Sequence, residues 1–186
     1  MRAPPIEPVR HFRLDWVLVE ELAIGPAPRA DRHLDRLDRE GIKAVLSLCS
    51  PDEVILPGGL GERFVHQRCV LPDHRAGRLP ELVELEGVLA ELVALRRHGP
   101  VFVHCVAAME RSPLVCLAWL VSRHGQSPER ALDYLMQLHS GTNPLPGQLA
   151  LLGRLDLHQP RNSACHPGTQ VVVIVPPCDE LAEHAG

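Results

Sequence analysis

Aromatic residues are scarce in this sequence, with two Trp, one Tyr and three Phe in 186 residues, so whatever core it builds is aliphatic. Lysine is almost missing as well: Lys43 stands alone among 19 basic residues, the rest being arginine. No apolar run approaches the roughly 20 residues that a membrane-spanning helix needs, and residues 1–8 show no apolar stretch followed by a small-residue cleavage site. The sequence therefore predicts a cytoplasmic protein with no membrane partner. A net charge of −4 excludes the strongly basic balance of a nucleic-acid binder, and 45% apolar content excludes an acidic disordered chain. Six cysteines are present, yet none forms a C-x-x-C pair. The eleven histidines form no H-x-x-x-H pattern and no Cys/His cluster at metal spacing. Neither a disulfide framework nor a metal site is expected, which leaves a thiol that reacts.

The patterning of the chain points to one layered domain. Short apolar runs at 16–19 and 22–24 close on Gly25-Pro26. Residues 31–40 put Leu34 and Leu37 on one helical face and stop at Gly41, which suits the left-handed residue after a helix. Residues 42–48 read as a buried strand, 51–61 as a loop broken by Pro and Gly, and 64–71 as another strand. A long helix is predicted over 79–98, with Pro80 in its first turn and Leu82, Leu85, Val88, Leu89, Leu92 and Val93 at the 3.6-residue period. A short strand at 101–103 follows, then helices at 113–123, 128–139 (behind Ser127 as N-cap) and 147–157. Strands alternating with helices early and helices crowding the end describe an α/β domain around a central sheet. The reading divides the chain into an extended lead-in (1–13), a domain at 14–158 and a tail (159–186) in which 171–175 is a candidate edge strand.

Chemistry concentrates in residues 101–113, VFVHCVAAMERSP. Cysteine followed six positions later by arginine is a weak signal, and the chain holds it twice. The pair Cys69 and Arg75 spans Pro72 and Asp73 and lacks a following hydroxyl. Cys105 and Arg111 lie in a different context: a buried strand leads in, small residues fill the turn, Ser112 follows the arginine and an apolar helix begins at once. A strand, a tight loop and a helix N-terminus aim backbone N–H groups and the positive end of a helix dipole at one point, which is a site for a phosphate dianion. The same field lowers a thiol's pKa, making Cys105 a nucleophilic thiolate. Arg111 offers a planar fork for two phosphate oxygens, and Ser112 a hydrogen bond to sulfur.

At this point the sequence resembles the cysteine-dependent dual-specificity phosphatases, whose signature is His-Cys-x-x-Gly-x-x-Arg-Ser/Thr. His104, Cys105, Arg111 and Ser112 match it, with Ala108 where the signature has glycine. The resemblance extends to Leu22-Ala23-Ile24-Gly25, to the helix and strand within 31–48 and to Asn143-Pro144, covering roughly residues 14–157. It implies a mostly parallel central sheet flanked by helices and a phosphate-binding loop of His104, Val106, Ala107, Ala108, Met109 and Glu110 around the thiol, with His104 buttressing the backbone. It also implies an acid on a loop about thirty residues upstream, and Asp73 lies 32 residues before Cys105. The neighbouring His74, Arg75 and Arg78 read as solvated charges, or as contacts for a second acidic group on the substrate. In some relatives a cysteine at the place of Cys49 traps the oxidised nucleophile, making Cys49 a redox partner; Cys116 is assigned to packing. The implied activity is hydrolysis of a phosphomonoester, on a phosphorylated protein or a small molecule, through a cysteinyl-phosphate and with no cofactor or metal. The loop carries no Lys or Arg between Cys105 and Arg111, which disfavours a highly charged inositol lipid. Two alternatives share the motif: a catalytically weak phosphate-binding pseudophosphatase module, and a rhodanese-like enzyme, against which Ser112 and the spacing of Asp73 argue.

Overall fold

The computed structural model describes residues 12–155. Strands β1 (Asp15–Leu18) and β2 (Leu22–Gly25) form an antiparallel hairpin. Then come α1 (Asp31–Arg39), β3 (Ala44–Ser47), the single turn α2 (Leu60–Arg63) and β4 (Val65–Arg68). The second half holds α3 (Leu82–Leu95) with a short 3-10 extension, β5 (Val101–His104), α4 (Arg111–His124), α5 (Pro128–Leu138) and α6 (Pro146–Leu152). The sheet order is β1-β2-β5-β3-β4, and every pairing except the first is parallel.

Alternation along the strands explains the layering, because successive side chains of a strand point to opposite faces. Leu22, Ile24, Ala44, Leu46, Val101 and Val103 face a core shared with α3, α4, α5 and α6. Their in-between neighbours Ala23, Val45 and Phe102 face Leu34 and Leu37 of α1 together with Ile42, Leu60 and Phe64. Both faces are covered, so β5 is buried throughout, as a central parallel strand must be. Gly41 (φ +78°) ends α1, placed as the sequence predicts, and Gly125 (φ +62°) ends α4 in the same left-handed conformation.

The strands predicted at 42–48 and 64–71 shorten to Ala44–Ser47 and Val65–Arg68, the helix at 113–123 lengthens to Arg111–His124, and three further boundaries differ from expectation. The long helix starts at Leu82 rather than 79: the Glu81 N–H donates to Glu84 Oε2 at 2.7 Å, a capping arrangement that overrides the start suggested by Pro80. The loop at 51–61 runs into the turn α2, and the last helix ends at Leu152 rather than continuing to 157. The candidate strand at 171–175 lies outside the described residues.

The parallel register sets up the site. Gly25, His104 and Ser47 lie side by side at the carboxyl ends of β2, β5 and β3. The loops that leave these three strands converge there, the usual place for a site on an open parallel sheet.

Candidate active site

Cys105 is the first residue beyond β5, and α4 begins six residues later at Arg111. The sulfur-bearing residue is 3% exposed. Burial pushes its thiol up, but the Ser112 hydroxyl and backbone N–H, the Arg111 charge and the Ala108 N–H outweigh that, and the thiol titrates below its ordinary value. Ser112 Oγ is buried and has no hydrogen-bond partner of ordinary geometry, so its proton is free to turn to the sulfur. Cys116, one turn into α4, is fully buried, and burial pushes its thiol up, in keeping with packing.

His104 supports the nucleophile from behind. Its Nδ1 lies 2.9 Å from the Cys105 carbonyl and its Nε2 lies 2.7 Å from Ser47 Oγ, which lies in turn 2.8 Å from His66 Nε2. Burial drives His104 down to about 3 and His66 down to about 4, so both rings are neutral. The carbonyl accepts only, which fixes the direction of the chain: His66 Nε2–H donates to Ser47, Ser47 O–H donates to His104 Nε2, and His104 Nδ1–H donates to the Cys105 carbonyl.

Arg111 is 4% exposed, and both of its terminal nitrogens have partners. Its Nη1 donates to the carbonyls of Leu48 (3.3 Å) and Leu71 (3.2 Å) and to Glu53 Oε2 (3.0 Å), and its Nη2 donates to Glu53 Oε1 (2.7 Å). Its hydrogen bond holds the Glu53 carboxyl below the usual carboxylate range. Asp73 Oδ2 lies 3.8 Å from Arg111 Nη2, so the structure brings the predicted acid to the predicted phosphate grip. Arg75 and His74 are not simply solvated. Arg75 donates to Asp73 from its backbone N–H (2.9 Å), Nε (2.9 Å) and Nη2 (2.7 Å), and also reaches Glu53 at 3.2 Å. These bonds hold the Asp73 carboxyl below its ordinary range. His74 Nδ1 lies 2.9 Å from Glu110 Oε2, and Arg78 pairs with Glu84.

Loop residues 106–110 ring a cavity of about 440 Å³ lined by Asp73, His74, Arg75, Cys105, Val106, Ala107, Met109, Glu110, Arg111, Asn143 and Leu145. Ala108 lies buried beneath it with φ +56°, the left-handed backbone for which the signature uses glycine. For a residue with a Cβ that conformation costs about 1–2 kcal/mol. Glu110 lies at the rim, where its Oε1 accepts from Gln148 at 2.7 Å. The Met109 carbonyl accepts the Asn143 N–H at 2.7 Å. Cys49 is fully buried and packs with Ala27 and Val54 beside Val106; burial raises its thiol to about 11.

Sequence reasoning missed Glu53, Ser47, His66, His139 and Gln148. A deeply buried arginine demands a carboxylate partner, but nothing in the sequence singles Glu53 out of 23 acidic residues. His139 follows the last turn of α5 and reaches the Ala108 carbonyl at 2.8 Å.

The structure thus sets a thiol at the mouth of a strand-loop-helix turn, with an arginine where the loop enters α4 and an acid delivered from β4's side. No protein-family model and no curated sequence matches the chain. Solved structures do. A mouse protein described as a dual-specificity phosphatase, complexed with zinc tungstate, is 26% identical with a TM-score of 0.62, covering 82% of this chain and 91% of that one. Tk-PTP in its active form is 24% identical with a TM-score of 0.65, over 76% of this chain and 94% of that one. PTPMT1 in complex with PI(5)P is 22% identical with a TM-score of 0.61, over 72% and 88%. The chain therefore has the dual-specificity phosphatase fold, an α/β architecture with a mixed, mostly parallel central sheet, as its sequence resemblance implied.

Proposed function

We propose that the protein is a cysteine-dependent phosphatase that hydrolyses phosphomonoesters, with phosphorylated proteins as its substrates. The observation that carries this reading is the meeting of Cys105, Arg111 and Asp73 at one cavity, with Arg111 Nη2 3.8 Å from Asp73 Oδ2. In the first step the Cys105 thiolate attacks phosphorus, the bond from phosphorus to the leaving oxygen breaks, and Asp73 gives that oxygen its proton. In the second, Asp73 takes a proton from water as the water oxygen attacks phosphorus; the P–S bond breaks and the thiolate returns. Arg111 and the loop N–H groups bear the charge on the non-bridging oxygens in both transition states.

Asp73 begins ionised, under the hold of Arg75. A phosphate dianion on Arg111 weakens that positive field and adds a negative charge beside the carboxylate, which raises Asp73 and loads it with the proton it must give. The cavity favours a monoester on an apolar carrier: Val106, Ala107, Met109 and Leu145 form its apolar lining, and its two arginines are already paired with carboxylates. A ligand with several further phosphates finds no unpaired arginine among the described lining residues.

Metal-free hydrolysis of p-nitrophenyl phosphate from pH 5 to 8 tests this. Wild type is expected to turn over, Cys105→Ser to be inactive and Asp73→Asn to lose most of kcat. Activity undiminished in Cys105→Ser sinks the mechanism, and a folded wild type that binds phosphate without turnover makes the protein a binding module instead.

A further inference from the structure

We propose that His139, backed by Asp15, is a positioning residue of the phosphate-binding loop: it holds Ala108 by its carbonyl in the left-handed conformation that the loop elsewhere obtains from glycine. The inference rests on the reading of residues 105–111 as a phosphate loop, not on turnover. Ala108 and Glu20 are the two non-glycine residues with positive φ among those described, and Ala108 is completely buried at the base of the site. An L-residue populates that backbone roughly tenfold less than an unstrained one, so alanine here needs a contact that exists only in the left-handed form.

The His139 ring supplies it. Nε2–H donates to the Ala108 carbonyl at 2.8 Å, and Nδ1 faces Asp15 Oδ2 at 2.6 Å. The ring is 3% exposed, so neither bond is exchanged for water. Its anchorage is equally built. Asp15 is bound by Arg13 Nε at 2.5 Å, and the same guanidinium donates to the carbonyls of Leu138 (3.1 Å) and Ser140 (3.0 Å), on either side of His139. Carboxylate and ring are thus fixed by one arginine. The next loop carbonyl, that of Met109, is taken by the Asn143 N–H, so the segment after α5 holds two consecutive loop peptides. On the preceding peptide, the Ala108 N–H donates to the sulfur and helps hold the thiolate.

The test is a double-mutant cycle with glycine, which needs no partner to adopt a positive φ. His139→Asn keeps a group near Asp15 but cannot reach Ala108, and is expected to lower kcat/KM and inorganic phosphate affinity about tenfold. His139→Gln, whose terminal amide replaces Nε2, is expected to recover most of that loss. In an Ala108→Gly background, His139→Asn is expected to cost less than about threefold. Equal losses in the two backgrounds, or no loss in either, overturn the proposal and leave His139 a packing residue. Should His139→Asn fail to fold by circular dichroism, Asp15→Asn, which leaves the ring in place but unanchored, runs through the same cycle with the same two outcomes. If wild type binds phosphate but does not turn over, the catalytic reading falls while the cycle measured in phosphate affinity still decides this one.

Discussion

Glu53 takes both ends of the Arg111 guanidinium, Oε1 at 2.7 Å from Nη2 and Oε2 at 3.0 Å from Nη1, and does so from a loop that otherwise only connects β3 to α2. The pair aims the arginine while its charge stays inside the site. Replacing Glu53 with Gln puts an amide donor against a guanidinium that has only donors. We expect a loss of about 1–3 kcal/mol of stability and a fall of roughly 10- to 100-fold in kcat/KM through misalignment of the fork. Urea midpoints and p-nitrophenyl phosphate kinetics measure the two. Full activity in a folded Glu53→Gln protein shows that Arg111 needs no such aim.

Arg75 holds Asp73 through three hydrogen bonds and keeps its carboxyl below the ordinary range. In the proposed mechanism the general acid must be protonated at the start of the first step, so activity is expected to fall as pH rises through the Asp73 pKa in the complex. Removing the guanidinium in Arg75→Ala raises that pKa, and the alkaline limb of the kcat profile moves to higher pH. An unchanged limb shows that a residue other than Asp73 supplies the proton.

What was legible in the sequence is what is contiguous along it. His104, Cys105, Arg111 and Ser112 sit within nine residues, and the β5-loop-α4 unit that displays them is one unbroken stretch of chain marked by apolar runs on both sides of the loop. Asp73 was found by its distance from the cysteine. Glu53, Ser47, His66 and His139 were not, because each reaches the site through pairings remote in sequence: Ser47 meets His104 only by the parallel register of β3 and β5, and His139 meets Ala108 only because α5 ends beside the loop. The turn α2 has four residues, too few to show a period. Arg75 looked like a solvated charge since its partners Asp73 and Glu53 are brought together by two separate loops.

The neutral pair His66 and His104 makes stability depend on pH in a definite direction. Both are depressed in the folded protein, to about 4 and about 3, whereas in the unfolded chain they titrate near the ordinary histidine value. Between about pH 6.5 and pH 4 the unfolded state therefore binds more protons, and stability falls as pH falls. Each ring contributes a slope of up to about 1.4 kcal/mol per pH unit in that window. Urea unfolding at pH 7, 6 and 5 measures the combined slope, and His66→Gln, which retains an amide donor for Ser47, should remove about half of the histidine share. A slope unaffected by that change places the acid sensitivity elsewhere.

Cys49 and Cys105 differ in character, and this sets an order of events under oxidation. Cys105 is depressed and faces the cavity, whereas burial holds Cys49 at about 11 behind the loop, beside Val106. A cavity-facing thiolate meets an added reagent and a thiol enclosed behind it does not, so iodoacetamide at pH 7 should label Cys105 and leave Cys49 and Cys116 unmodified in the folded protein. Mild peroxide should then convert the Cys105 thiolate to a sulfenic acid, the Cys49 sulfur should displace water from it as its own proton departs, and a Cys49–Cys105 disulfide should result. The two lie on neighbouring strand ends, since Ser47 pairs with His104 and the Leu48 N–H donates to the His104 carbonyl at 2.8 Å. Peptide mapping after peroxide treatment should find this link, and Cys49→Ser should turn reversible inactivation into an irreversible one as Cys105 oxidises further. Inactivation that stays equally reversible in Cys49→Ser, with no linked peptide in the wild type, makes Cys49 a packing residue.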